Sequence, residues 1–260
     1  MALYDRIGKT YDSTRRADPY LLSRLIHHLQ PVPEGLYLDV ACGTGNYTIA
    51  VAETGVQLHG FDLSEQMLGK LRKKSESIPL FQGDVEAMPF EDQSYSGAIC
   101  TLATHHFPDL HKAFKEIYRI LKPGRFVIFT ATPEQMKGYW LNEYFPDALE
   151  KSIVQMPDWA LVASALTEAG FANLQTDPYD IREDLQDLFL YSGKHRPRFY
   201  LDEKIRSGIS TFSSLADPDE VERGLKKLEQ DIESGDIERV IASYQHDQGD
   251  YLFVVSEKMP

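Results

Sequence analysis

The sequence predicts an α/β protein built on a doubly wound, mostly parallel sheet, and three observations carry that expectation. Short apolar runs and amphipathic stretches alternate from about Leu36 to Thr132, as in βαβ units whose strands are covered on both faces. The run Leu36-Tyr37-Leu38-Asp39-Val40-Ala41-Cys42-Gly43-Thr44-Gly45-Asn46-Tyr47 is an apolar strand with an acid near its end, then a glycine loop, then a helix start. A parallel sheet presents a nucleoside-containing ligand to the carboxyl end of its first strand in this way. The chain is 260 residues long, 42% hydrophobic and 26% charged, enough for one large domain or a domain with an elaborated insert.

The elements follow in order. Leu36–Ala41 is the first strand, and Tyr47–Glu53 begins a helix. Val56–Asp62 is the second strand, and Ser64 caps a helix that runs to about Lys74. Ile78–Phe81 is a short third strand and Tyr95–Thr101 the fourth. Leu110, Phe114, Ile117 and Leu121 recur at helical spacing, so Leu110–Leu121 is an amphipathic helix. Pro123-Gly124 stops it, and Arg125–Thr130 is the fifth strand. Met136–Met156 is read as a loop with short helices. Trp159–Ala169 is a helix closed by Gly170, and Ala172–Tyr179 and Tyr251–Ser256 are the last two strands. Between them Asp180–Asp250 is helical and polar, with 17 acidic and 10 basic residues. It is expected to lie over the carboxyl edge of the sheet, against the alternative of a solvated flank. The organisation expected is a main domain over residues 1–180 and 251–260, with an insert over 181–250 as a substrate cap.

Composition narrows the function. The formal net charge is -13. Such a surface repels nucleic acid and anionic membranes over long range, so the expectation is a small-molecule acceptor, with neither nucleic acid nor membrane as partner. The N-terminal run MALYDRIGKTYDS lacks the apolar core of a signal peptide, and no stretch approaches transmembrane length; a cytoplasmic location is expected by default. Cys42 and Cys100, at predicted strand ends, are read as small core residues, not as a disulfide or metal site.

Three acidic positions fall at strand ends. Asp39 precedes the glycines, and Gly43 and Gly45 let the backbone approach a ligand closely. Asp62 follows Asp39 by 23 residues, where a carboxylate can accept from both hydroxyls of a ribose; its bland reading is an acid at a helix N-terminus. Asp84, in Gly83-Asp84-Val85-Glu86-Ala87-Met88-Pro89-Phe90, can accept from an exocyclic amine while the Val85 amide reaches the ring. A nicotinamide-binding loop would want a third glycine where this chain has Thr48, and a phosphate loop of the G-x-x-x-x-G-K-S/T type is absent.

In the order DVACGTG, FDLS, GDVEAMPF, ATHHF and ILKPGR, the chain resembles class I S-adenosylmethionine-dependent methyltransferases of the type 11 group, near the quinone and natural-product enzymes. The resemblance covers roughly the first half. It implies a Rossmann-like, seven-stranded sheet whose last strand runs antiparallel beside the sixth, with the helical insert before that last strand. It implies S-adenosylmethionine as cofactor and S-adenosylhomocysteine as product. The cofactor would be held by Tyr11, Asp39, Ala41, Gly43, Gly45, Asp62, Leu63, Met67, Asp84, Val85, Thr101 and Leu102. Residues 1–30 would be an arm over the cofactor, against the reading of a frayed terminus. The chain departs from the family pattern at Ala41, where the first loop glycine stands, and at Arg125, the second glycine of the PGG turn.

Methyl transfer is an in-line displacement to an oxygen, nitrogen or carbon atom of a small organic acceptor. It needs position and electrostatics, not a protein nucleophile or a metal. His105 and His106 are candidate general bases, although His-His-Phe also occurs in similar proteins with unrelated substrates and there shapes the loop. Arg15, Arg196 and Arg198 are candidate substrate-binding residues, since guanidinium forks suit carboxylate or phosphate; surface ion pairs are the competing reading. A non-catalytic S-adenosylmethionine- or S-adenosylhomocysteine-binding protein on the same fold is the alternative function, and a nicotinamide oxidoreductase the third.

Overall fold

The computed structural model describes residues 14–260. Seven strands form one sheet in the order β3-β2-β1-β4-β5-β7-β6. They are β1 (Leu36–Val40), β2 (Gln57–Asp62), β3 (Leu80–Gln82), β4 (Tyr95–Thr101), β5 (Leu121–Thr130), β6 (Ala172–Tyr179) and β7 (Tyr251–Lys258). The pairs among β1 to β5 are parallel, and β7 runs antiparallel to both β5 and β6. This is the doubly wound sheet that the sequence predicts, with the antiparallel last strand that the resemblance implies.

The strands are apolar on both faces, and alternate residues separate into two cores. On one face Tyr37, Ile99, Val127 and Phe129 pack with Leu21, Leu25 and Leu29 of α1 (Pro19–Leu29) and with Val51 of α2 (Asn46–Glu53). On the other, Leu38, Ala98, Cys100, Phe126 and Ile128 pack with Phe114 and Ile117. Those two belong to α4 (Leu110–Ile120), which follows α3 (Glu65–Lys74) along the chain. The 19–29 portion of the expected arm is thus a core helix. Asp18 caps it by accepting from the Leu21 amide.

Two boundaries differ from expectation for a physical reason. Leu121 is the first residue of β5 and pairs with Tyr95, so Pro123-Gly124 lies inside a strand, at a register shift opposite Tyr95 and Gly97. A Cβ on Gly124 would stand 2.1 Å from the Ser96 carbonyl oxygen. Close approach of a neighbouring strand sets that glycine, and the local sequence imitates a turn. The insert between β6 and β7 packs into the core on the α1 face of the sheet. It holds α8 (Glu203–Ser207), α9 (Pro218–Ser234) and α10 (Ile237–Ser243), and it buries Tyr191, Tyr200, Leu228 and Ile237. Before it come α5 (Pro133–Lys137), α6 (Pro146–Val154) and α7 (Trp159–Ala169). Buried Glu220 of α9 accepts from the Asp147 and Ala148 amides at the start of α6. A carboxylate at that helix N-terminus ties the insert to the segment that follows β5.

Candidate active site

The carboxyl ends of β1, β2 and β4 open on one cavity of about 360 Å³. The chain reaches it through a tight loop. Ala41, Gly43 and Gly45 all have positive φ, at 57°, 55° and 78°. The two glycines serve different ends. A Cβ on Gly45 would lie 2.2 Å from Leu71 Cγ, so Gly45 lets the loop pack against α3. A Cβ on Gly43 would meet nothing within 4 Å; it would point into open space where a ligand can lie against the backbone. Ala41 and Leu102 (φ 53°) are non-glycine residues in the left-handed region, and both line the cavity. Strain of about 1–3 kcal/mol per residue gathers where a site needs a defined backbone.

Asp62 fixes the loop. Its Oδ2 accepts from the Gly43 amide and its Oδ1 from the Ser64 amide, each at 2.8 Å. Burial pushes its carboxyl above the ordinary range, and the Ser64, Gly43 and Leu63 amides pull it back down. Each oxygen keeps a lone pair for a further donor. Asp39 is buried, and its Oδ2 accepts from Thr48 Oγ1 at 2.6 Å. Burial carries its carboxyl up to about 7, against the Thr48 bond and with help from the charge of Asp62. Asp84 is exposed, and its Oδ1 accepts from the Glu86 amide, which turns the chain so that Val85 faces the cavity. Leu63 is 60% exposed on the cavity wall, an apolar surface left open beside a set of acids.

Eleven of the residues expected to hold a cofactor line this cavity, and Tyr11 lies outside the described residues. Cys42, Tyr47 and Asp187 are among the lining residues not anticipated at the site. Cys42, read as a core residue, is half-buried on the cavity wall. Burial raises its thiol well above the usual range, so it is no thiolate. Tyr47 was read only as a helix start; its hydroxyl donates to Asp187 at 3.2 Å. Asp187 comes from the insert and pairs with Arg15 through both carboxylate oxygens, at 2.5 and 3.2 Å. No sequence signal marks Asp187 among the acids of the insert.

A second cavity of about 90 Å³ adjoins the first and shares Arg15 and Leu102 with it. His106 lines the larger cavity and His105 the smaller, with their ring centroids 3.8 Å apart. Burial pushes the two imidazoles down to about 3 for His105 and about 4 for His106. Both are therefore neutral near pH 7, able to accept a proton but weak as bases. Among the candidate arginines only Arg15 reaches these cavities. Arg196 instead donates to the Leu185 and Ser192 carbonyls and stacks over Phe199. Arg198 is exposed and lines neither cavity. The neighbouring Lys194 and His195 also bond to the ends of the insert, Lys194 to Asp250 and His195 to the Ile181 carbonyl.

This geometry defines a protein that holds a nucleoside-bearing ligand at the ends of parallel strands. Known proteins then place the chain in a family. A family model described as a methyltransferase domain matches residues 38–129. A demethylmenaquinone methyltransferase from Chlorobaculum tepidum is 30% identical over 207 residues, which is 68% of this chain and 85% of that one. Its counterpart from Bacillus licheniformis is 29% identical over 209 residues, 68% of this chain and 90% of that one. A solved structure provisionally described as a methyltransferase from an antibiotic biosynthesis pathway of Anabaena variabilis superposes with a TM-score of 0.84 at 30% identity, covering 94% of this chain and 98% of that one. Geranyl diphosphate C-methyltransferase from Streptomyces coelicolor, solved with S-adenosyl-L-homocysteine, shares the fold with a TM-score of 0.59 at 15% identity, covering 92% of this chain and 76% of that one. The chain belongs to the class I S-adenosylmethionine-dependent methyltransferases of the type 11 group, and it is an enzyme of that class.

Proposed function

We infer that the enzyme transfers a methyl group from S-adenosylmethionine, bound in the larger cavity, to a small organic acceptor. The observation that carries this reading is the cradle itself. The space beside Gly43 is open, the Asp62 carboxylate is held by two amides with lone pairs to spare, and exposed Leu63 stands beside them. Asp62 would accept from the ribose hydroxyls, Asp84 from the adenine amine, and Leu63, Met67 and Val85 would cover the ring. Ala41, Gly43 and Gly45 would let the backbone run along the ligand. Asp39, Thr101 and Leu102 would border its methionine end. The ligand supplies an electrophilic methyl group; the protein's share is to hold both reactants in line and to exclude water. We propose a cytoplasmic enzyme, and its net charge of -13 supports a small-molecule acceptor over nucleic acid or a membrane as partner. No helix among the described residues is long and apolar enough to cross a membrane.

Calorimetric titration with S-adenosylmethionine and S-adenosylhomocysteine tests the reading. Micromolar binding is expected, and Asp62→Ala should weaken it about 100-fold, since the ribose loses a charged acceptor and the Gly43 amide its anchor. Failure of the wild-type protein to bind either ligand would sink the assignment of the cavity.

A further inference from the structure

The smaller cavity is the part of the molecule that the cofactor does not explain. Its walls come from stretches far apart in sequence, from Arg15 to Tyr251. Leu102 and His105 follow β4, and Ala131 follows β5. Met136, Ser152 and Met156 lie in or near α5 and α6. Phe189, Ile209 and Thr211 come from the insert. Among the described lining residues none is acidic. The one cation, Arg15, is neutralised by Asp187, whose side chain is 1% exposed. A cationic amine would therefore enter without a counter-ion, and an anion would have to compete with a buried carboxylate for Arg15. The walls are mostly apolar, with Phe189 and Tyr251 supplying ring faces and two methionines a soft floor. Polar groups are few and clustered. Ser152 Oγ and Thr211 Oγ1 bridge α6 to the insert at 2.9 Å, and two hydroxyls that share one bond keep a second donor between them. Buried Nδ1 of His105 has no hydrogen-bond partner among the described residues.

Resting on the reading of the larger cavity as the cofactor site, we propose that the smaller cavity is the acceptor site and that it takes a neutral, single-ring phenol whose hydroxyl bonds to His105. Size sets the ring count. About 90 Å³ is less than the roughly 150 Å³ of an apolar cavity that accepts benzene. One ring therefore stands partly past Leu102 in the larger cavity, with its hydroxyl at His105, whose ring is 3.8 Å from that of His106 on the larger cavity's wall; a second fused ring would overfill the space further. When the phenol oxygen takes the methyl group, an oxygen–carbon bond forms and the carbon–sulfur bond breaks with its electron pair left on sulfur. The phenolic proton passes to His105 and then to water. A neutral imidazole of low basicity suffices, because a protonated aryl ether is a far stronger acid than any imidazolium.

Binding is the direct test, with phenol, 1-naphthol and toluene as probes, titrated by ligand-observed NMR against the protein both alone and saturated with S-adenosylhomocysteine. Phenol should bind at least tenfold more tightly than 1-naphthol. Met156→Trp, which fills the cavity, should abolish phenol binding and leave S-adenosylhomocysteine affinity within twofold of wild type. His105→Phe should weaken phenol at least tenfold and leave toluene, which lacks the hydroxyl, unchanged. The proposal is overturned if 1-naphthol binds as well as phenol, if phenol does not bind, or if Met156→Trp binds it normally. Loss of S-adenosylhomocysteine binding in the wild type would be a failure of the cofactor reading instead, and the titrations without it would still decide the phenol site.

Discussion

The two cavities meet at Arg15 and Leu102 but are built by opposite means. The larger is made of short contiguous runs at strand ends, in which backbone shape and single carboxylates do the positioning. Asp62 holds Gly43 and Ser64, Asp84 holds its own turn, and Asp39 holds Thr48. The smaller is assembled by packing from residues spread between Arg15 and Tyr251, and its polar groups are few. The difference teaches where each specificity can change. A ligand bound by backbone is fixed by the fold, and one bound by packed side chains is fixed by whatever the loops deliver.

The sharpest way to break the comparison is inside the glycine loop. Gly45→Ala forces a methyl group into Leu71 at a positive φ, and should cost about 2–4 kcal/mol, a drop of several degrees in Tm. Gly43→Ala meets no atom; it should cost only about 1 kcal/mol for its backbone yet weaken S-adenosylhomocysteine at least tenfold by calorimetry. Equal affinity in Gly43→Ala and wild type would mean that the ligand does not lie on the loop.

Asp39 gives a smaller, pH-dependent signature. An unfolded aspartate titrates near 3.9, and this one is carried up to about 7 by burial. Between those values the folded chain keeps a proton that the unfolded chain has lost. The contribution to stability is present at low pH and fades as pH rises through about 7. His28, His105 and His106 are all pushed below the usual imidazole value, and their contribution runs the other way, growing as pH rises towards about 6.5. The useful quantity is therefore the difference in Tm between wild type and Asp39→Asn, a variant that can still accept from Thr48. From pH 5 to pH 8 that difference should shift against the wild type by about 2–4 °C for each kcal/mol. A flat difference would mean that Asp39 is not the buried acid described.

The smallest effects are expected in the insert's basic run. Arg198→Ala should change stability by less than about 0.5 kcal/mol. Arg196→Ala, which releases two chain carbonyls, should cost about 1–2 kcal/mol. Both should leave methyl turnover within twofold of wild type. A tenfold loss in either would return the arginines to the site.

The sequence carried the sheet and the larger cavity for the same reason: their determinants are local. Tyr95–Thr101, Trp159–Ala169 and Ala172–Tyr179 have the bounds that periodicity predicts, and Ser64 caps its helix as read, accepting from Met67. The failures are the non-local determinants. Gly124 answers to the carbonyl of Ser96 across the sheet, and Asp187 matters through Tyr47, 140 residues earlier in the chain. Arg196 meets main-chain carbonyls within the insert, partners that no side-chain pattern announces.

Tyr179 and Tyr251 face each other in register at the last rung of the antiparallel pair β6 and β7. The insert therefore leaves the sheet and returns to it at one point. Asp250 secures that point by accepting from the Ile181 amide and Lys194 Nζ, each at 2.7 Å. In connectivity, the insert is the loop of a hairpin. Closing such a loop costs about 0.6 kcal/mol more for each doubling of its length. Chain length between these anchors can change at little entropic cost, whereas Asp187 and Phe189, which the insert lends to the two cavities, hold its near end in place.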